Sequence, residues 1–347
     1  MIDDALFVTG MERSGTTLLE RLLASQPRLS VLSQPFPLLF VETKRAFLRT
    51  RGVMEERYPL GHLFREQRYV RPMFTEFLER WRISPGEMAA SFERMSGYSG
   101  QYTRPSPERL ERALAQLSPD ADFAAVVALL DRHLAGDGGA RCFGSKEVVC
   151  EEFVPHLLDR GFRCAIIVRD PRDVVASLNH GRGREHSGEL KPTLYNVRNW
   201  RKSVSFALAM EGRPRFHWCR YEDLVRDPPA TLSRLAAALD LGEIDPAPSL
   251  GAWRGNSSFT EHNGVSTASV GIFRDTLHPD AADMIEATCL PEMRLLGYPA
   301  SMSFDLALQV IDRFREPYRV RDGMERDAAT PDNAALETAR LREVWTA

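Results

Sequence analysis

The chain has 347 residues, 43% of them hydrophobic, enough to bury a large core. Its formal charge of −3, from 45 Lys and Arg against 48 Asp and Glu, excludes a general nucleic-acid binder, which needs a dominant positive surface to displace counterions from phosphate. Five cysteines without Cys-x-x-Cys spacing read as buried reduced thiols, and they and the eight histidines never fall at metal-ligand spacing.

Met1-Ile2-Asp3-Asp4 runs directly into an apolar segment, with no basic, apolar leader and no run of about eighteen apolar residues. The expectation is a soluble, cytoplasmic protein without a membrane span. Ala5-Leu6-Phe7-Val8-Thr9 reads as a buried strand. Thr16 to Ser25 carries Leu18, Leu19, Leu22 and Leu23 at helical spacing before Pro27 stops it. A second short run, Leu29-Ser30-Val31-Leu32, is expected to return as the parallel neighbour of the first strand.

From about 36 to 140 the pattern becomes helical, with Arg, Glu and aromatic residues punctuated by Pro59-Leu60-Gly61, Ser84-Pro85-Gly86 and Arg104-Pro105. This stretch reads as a helical insertion over a sheet. Phe74, Phe77, Trp81, Phe92 and Tyr98 could line a pocket, but aromatic residues at helical spacing more often form core. Strands follow at Arg141–Gly144, Arg163–Val168 and Phe216–Tyr221, each succeeded by helical pattern. Such alternation implies a three-layer α/β/α fold with a central, mostly parallel sheet whose ligands sit beyond the strands' carboxyl ends. Arg13, Lys146, Arg169 and Tyr221 all fall at such ends. Residues 1–303 read as one domain, and 304–347 as an extension with one amphipathic helix to about Phe314, serving as a docking helix or a partner contact.

Between the first strand and helix lies Gly10-Met11-Glu12-Arg13-Ser14-Gly15-Thr16-Thr17. In a nucleoside-triphosphate loop, a lysine after the second glycine reaches the β/γ phosphates. Here Thr16 holds that position and Arg13 lies inside the loop, where a guanidinium fork suits an oxyanion that needs no metal. The chain has only four lysines, Lys44, Lys146, Lys191 and Lys202. Three are expected at the surface, with Lys146 the exception because it ends a strand. The second motif is Val168-Arg169-Asp170-Pro171-Arg172-Asp173, with Ser177 following Arg169 by eight residues.

These two motifs resemble the sulfotransferase superfamily that uses 3′-phosphoadenosine 5′-phosphosulfate (PAPS), particularly its bacterial members with an Arg-Ser-Gly-Thr-Thr loop. The resemblance spans about 5–35 and 141–298 and implies a P-loop-like fold. It assigns Arg13, Ser14, Gly15, Thr16 and Thr17 to the 5′-phosphosulfate, and Arg169 and Ser177 to the 3′-phosphate. It also sets Tyr221 near the adenosine, Lys146 at the departing phosphate, and a loose match at 266–274. The implied activity moves a sulfuryl group to a hydroxyl or amine of a small-molecule acceptor, without a metal. The usual bases are missing: Gln34 and Pro35 stand where many members have glutamate, and Val148 where others have histidine. Glu42 is the first candidate base, with Glu147 and His180 behind it. Two other readings stay open: a PAPS-holding protein without turnover, and an ATP-dependent kinase with Asp170 holding magnesium.

Overall fold

A computed structural model describes residues 2–53, 71–97, 102–135, 138–181, 189–245 and 264–346. Tyr98 and the Pro59-Leu60-Gly61 interruption lie outside the described residues. In chain order, β1 (Ala5–Thr9), α1 (Thr16–Ala24), β2 (Leu29–Ser33) and α2 (Pro37–Thr50) lead into α3 (Arg71–Arg80), α4 (Pro85–Met95), α5 (Pro107–Ala115) and α6 (Phe123–Ala135). Then come β3 (Cys142–Lys146), α7 (Val154–Asp159), β4 (Arg163–Val168), α8 (Pro171–His180), α9 (Thr193–Met210) and β5 (Phe216–Arg220). The chain closes with α10 (Tyr221–Arg226), α11 (Pro228–Leu239), α12 (Phe273–Thr276), α13 (Pro279–Leu295), α14 (Phe304–Arg313) and α15 (Pro331–Thr346).

Among the described residues, five strands form one parallel sheet in the order β2-β3-β1-β4-β5. Side chains alternate across each strand. Leu6 and Val8 of β1, with Ala165 and Ile167 of β4, face one core with Leu19 and Leu22 of α1 and Leu232 and Leu235 of α11. Phe7, Ile166 and Val168 face the other, with Phe40 of α2, Phe123 of α6 and Trp200 of α9. Both sheet faces are therefore covered, and β1 and β4 are largely apolar along their length, as buried parallel strands require. The expected three-layer α/β/α architecture is the one observed.

The neighbour of β1 differs from expectation. β3, not β2, pairs with it, and β2 lies outside β3 at the sheet edge. β2 alternates only weakly and leaves Ser30, Leu32 and Ser33 partly exposed, which suits an edge, whereas Ser145 and Lys146 of β3 are buried. The insertion's aromatic residues are core: Phe74 is fully buried, and Trp81 and Phe92 nearly so. Phe40 meets Phe153 at 4.7 Å and Phe123 at 5.2 Å between ring centroids, which fixes α2 over the carboxyl end of the sheet.

Beyond Phe304 the chain forms not one helix but two, because α15 follows α14. α15 docks through charge: Glu337, 4% exposed, accepts from Arg198 Nε and Arg201 Nη1 of α9, both at 2.6 Å. Glu337→Ala leaves those guanidinium groups facing each other in a buried site and should lower unfolding free energy by about 3–5 kcal/mol in guanidinium melts. Burial alone would raise the Glu337 carboxyl, but Arg201 and Arg198 overcome it and hold it at about 2 against an ordinary 4.5. With a depressed folded-state value, its stabilisation is complete above pH 4.5 and lost as pH falls through about 2. The stability gap between the parent and Glu337→Gln should narrow across that window; a gap independent of pH would contradict the assignment.

Candidate functional site

Beyond β1 the chain turns so tightly that a Cβ on Gly10 would lie 2.5 Å from the Ile167 carbonyl oxygen of β4. Arg13 (φ 67°) and Gly15 (φ 101°) are left-handed, a conformation that turns neighbouring backbone N–H groups toward one concave side. Ser14 Oγ donates to the Met11 carbonyl at 2.7 Å and closes the loop. Gly15 caps α1 without a side chain, leaving the first-turn N–H groups and the positive end of the helix dipole for an anion. Thr16 is buried in the first turn of α1, and Thr17 half-buried beside it. A Cβ at Gly15 would fall 2.5 Å from the Tyr221 ring, so Tyr221 packs directly on the loop.

Arg169 leaves β4 against the same ring, its guanidinium 4.6 Å from the Tyr221 centroid. Its Nη1 donates to the Arg13 carbonyl at 3.1 Å and its Nη2 to the Ser269 carbonyl, while its Nε is buried without a partner among the described residues. Arg13 Nε donates to Ser177 Oγ at 3.0 Å. The loop and the Arg-x₇-Ser pair thus form one cluster. Burial and then the like charge of Arg169 lower the Arg13 pKa. Asp173 stands 3.8 Å from Arg169, but it also accepts from the backbone N–H groups of Gly271 (2.7 Å) and Phe273 (3.0 Å). Two crowded guanidinium groups, an orphaned donor and a shared counter-ion make a site complementary to an oxyanion. Asp170, the magnesium candidate, has its two oxygens engaged by Arg172 at 3.0 and 2.7 Å.

On the other side of the loop, β3 continues past its last strand residue. The Glu147 N–H donates to the Val8 carbonyl at 3.0 Å and the Val149 N–H to the Gly10 carbonyl at 2.9 Å. Lys146, 2% exposed, lies among the charges of Glu20 on α1 and Glu147, and burial lowers its pKa against their pull. The structure therefore groups Arg13 with Arg169 and Ser177, and sets Lys146 in a separate carboxylate environment. Burial raises Glu147 to about 8, opposed by the Phe36 N–H and by Lys146 and Lys44. The Phe36 N–H reaches its Oε1 at 3.2 Å.

Glu147 borders a cavity of about 540 Å³ whose wall also includes Glu12, Lys44, Tyr195, Asn196 and Asn199. Lys191 Nζ bridges to Glu12 Oε2 at 3.1 Å across its rim. Three expectations change here. Glu42 is turned away: Arg94 of α4 holds its carboxylate at the surface, and it does not border the cavity although its neighbours Val41 and Lys44 do. His180 is exposed at the end of α8 and does not border it either. The other three lysines are not surface groups. Lys44 and Lys202 are each 4% exposed and share Glu152 at 2.6 and 2.9 Å, and Lys191 is half-buried at the rim. Sequence reasoning missed Glu12, Lys191, Asn196 and Asn199; the scarcity of lysine was the one signal that could have flagged Lys191.

Residues 5–127 match the model of the family described as the sulfotransferase family. The match runs through the helical insertion, where the sequence motifs suggested no resemblance, and ends before Arg169. No curated protein sequence matches the chain. Among solved structures, the chain is similar to a sulfotransferase domain from the curacin biosynthetic pathway (19% identity, 87% of this chain and 99% of that one, TM-score 0.46). It is also similar to a sulfotransferase from Alicyclobacillus acidocaldarius (15% identity, 86% and 96%, TM-score 0.43). A third is retinol dehydratase in complex with androsterone and inactive cofactor PAP (17% identity, 84% and 81%, TM-score 0.37).

An oxyanion between Arg13 and Arg169 should relieve their repulsion and stabilise the fold. At a hundred times its dissociation constant, pyrophosphate should add about 2.7 kcal/mol and raise the melting temperature by roughly 4 °C. Arg13→Ala should lose most of that shift in thermal melts; an equal shift in parent and variant would place the anion elsewhere.

Proposed function

We propose that this chain, a member of the sulfotransferase superfamily, transfers a sulfuryl group from PAPS to a hydroxyl of a small-molecule acceptor. The observation that carries the reading is the Arg13–Ser177 hydrogen bond. It joins the loop, which lies inside the family match, to a serine of α8 that lies outside it, and so supports reading the two motifs as parts of one donor site.

The residues present fit the donor. The Gly10–Thr17 backbone and the first turn of α1 would hold the 5′-phosphosulfate, Arg169 and Ser177 the 3′-phosphate, and the Tyr221 ring would lie against the nucleoside. When bound, PAPS supplies the sulfuryl group and an anionic phosphate leaving group. Arg13 and the helix dipole of α1 would neutralise negative charge developing at the loop, and Lys146 would neutralise it from the end of β3. Glu147 is the proposed base in place of Glu42. It borders the cavity, and its raised pKa makes it a stronger base than an ordinary carboxylate, able to take the proton of an acceptor hydroxyl as that oxygen attacks sulfur.

Transfer of radiolabelled sulfate from PAPS to a panel of phenols, alcohols and amines tests the activity. Nucleotide binding without transfer to any of them would favour a nucleotide-holding protein. Glu147→Gln should lower kcat/KM by about 10²–10⁴-fold while leaving nucleotide affinity unchanged. Because the base acts deprotonated and its pKa is raised to about 8, kcat/KM of the parent should climb with pH and level off above about 8. A profile flat from pH 6 to 9 would remove Glu147 from the role. Arg13→Ala and Lys146→Ala should depress turnover more than nucleotide affinity, measured by comparing kcat with the dissociation constant.

A further inference from the structure

The turn that follows β3 runs against the ordinary preference of its residues. Val149 is left-handed (φ 57°), a conformation that a β-branched residue adopts only where its surroundings impose it. Its N–H donates to the Gly10 carbonyl at 2.9 Å, and the N–H of Cys150 to Thr9 Oγ1 at 3.2 Å, which fastens one side of the turn to the end of β1 and the anion loop. Lys44 of α2 fastens the other side. Its Nζ donates to the Val149 carbonyl at 2.6 Å and stands 2.6 Å from Glu152 Oε1. Two residues before Val149, Glu147 Oε1 accepts the Phe36 N–H at the start of α2. α2 therefore holds the segment from Glu147 to Glu152 at two points, one of them Lys44.

Lys44 also ends a buried series of alternating charges. It pairs with Glu152, which pairs with Lys202 at 2.9 Å, which in turn stands 3.2 Å from Glu151. Of these four, Lys44 is the one that borders the cavity shared with Glu147. The other groups around Glu147 bear on it less. Burial holds Asp131 of α6 and the Cys150 thiol in their neutral forms, and Lys146 is shared with Glu20 of α1. Elsewhere on the cavity wall stand Tyr195 and the mutually paired Glu12 and Lys191, while Arg45 is exposed to solvent, where its field is screened.

Resting on the reading of Glu147 as the base, we propose that Lys44 is the positioning residue for that base, fixing through the Val149 carbonyl and Glu152 the strained turn that presents Glu147 to the cavity. Its charge acts in the same direction as its hydrogen bond. A cation beside a buried carboxylate favours the ionised form, which is the form that takes a proton from the acceptor, and Lys44 opposes the effect of burial on Glu147 in this sense. Lys44 need not touch the acceptor to do this.

Carbon-13 NMR of protein labelled at the glutamate carboxyl carbons tests the proposal, with the Glu147 signal assigned by its loss in Glu147→Gln. In the parent Glu147 should titrate near its raised value of about 8. Lys44→Met, which keeps the side-chain length without the charge or the donor, should raise that midpoint by about one pH unit. With an acceptor identified by the sulfate-transfer panel, kcat/KM at pH 7 should then fall about tenfold or more, while affinity for 3′-phosphoadenosine 5′-phosphate (PAP) is unchanged. Thr43→Val, which removes a buried hydrogen bond one residue away on α2, should leave the midpoint in place. Should Lys44→Met alone not fold, Lys44→Met combined with Glu152→Gln removes cation and counter-ion together and should show the same rise. A Glu147 midpoint that neither Lys44 variant moves, or that Thr43→Val moves as far, would overturn the inference and leave the base reading standing. Transfer that Glu147→Gln does not slow would sink the base reading and this inference with it.

Discussion

Two guanidinium groups held together at the carboxyl edge of β1 and β4 are the constraint on which the rest of the site depends. Arg13 is bound into a left-handed loop, and Arg169 is locked by its contacts to the Arg13 carbonyl, to Ser269 and to the Tyr221 ring. Arg169 is buried at the strand end, and the Arg13 side chain is held by Ser177. Such crowding is unfavourable in a low-dielectric setting unless an anion compensates it. The neighbouring structure limits the strain without cancelling it: Asp173 divides its carboxylate between Arg169 and the N–H groups of Gly271 and Phe273, while Ser177 offers Arg13 only a neutral oxygen.

α9 ties this cluster to the remainder of the molecule. Along one helix, Trp200 holds the Arg169 carbonyl, Lys202 anchors Glu151 and Glu152, and Arg198 and Arg201 receive Glu337 from α15. The end of β3 performs a second separation. Lys146 and Glu147 are consecutive, so an extended backbone sends them to opposite sides. The cation stays near Glu20 on the α1 face, and the carboxylate borders the cavity beneath α2. Burial acts on the two in opposite senses: it weakens the acidity of Glu147, as a base needs, and it disfavours the charged form of Lys146, which the carboxylates of Glu20 and Glu147 oppose.

What could be read from the sequence follows a physical division between local and non-local information. β1 and β4 are covered on both faces, so they read as unbroken apolar runs and their limits are evident. Arg13, Arg169 and Ser177 belong to short motifs whose spacing already implies a strand end and a helix start. Strand order was not legible, because β3 enters between β1 and β2 only after the whole of α2 to α6, and nothing local in β2 reports that. Glu42 and Glu147 illustrate the same limit. Which one meets the cavity is decided by Arg94, from a distant helix, and by burial under Phe36. Asn196 and Asn199, polar residues in a helix, look like a solvated face until α9 is packed. α15 escaped notice because its docking residue is charged, and a charged helix face normally signals solvent rather than a buried ion pair.

The central claim is that the Arg13, Arg169 and Ser177 cluster grips the phosphates of the donor nucleotide. Calorimetric titration of PAP into the parent and into Arg169→Ala tests it most directly. The account requires binding by the parent and a loss of at least about tenfold in the variant, since a charge-assisted contact to phosphate is removed. Equal affinity in the two proteins, or no binding by the parent, would contradict it.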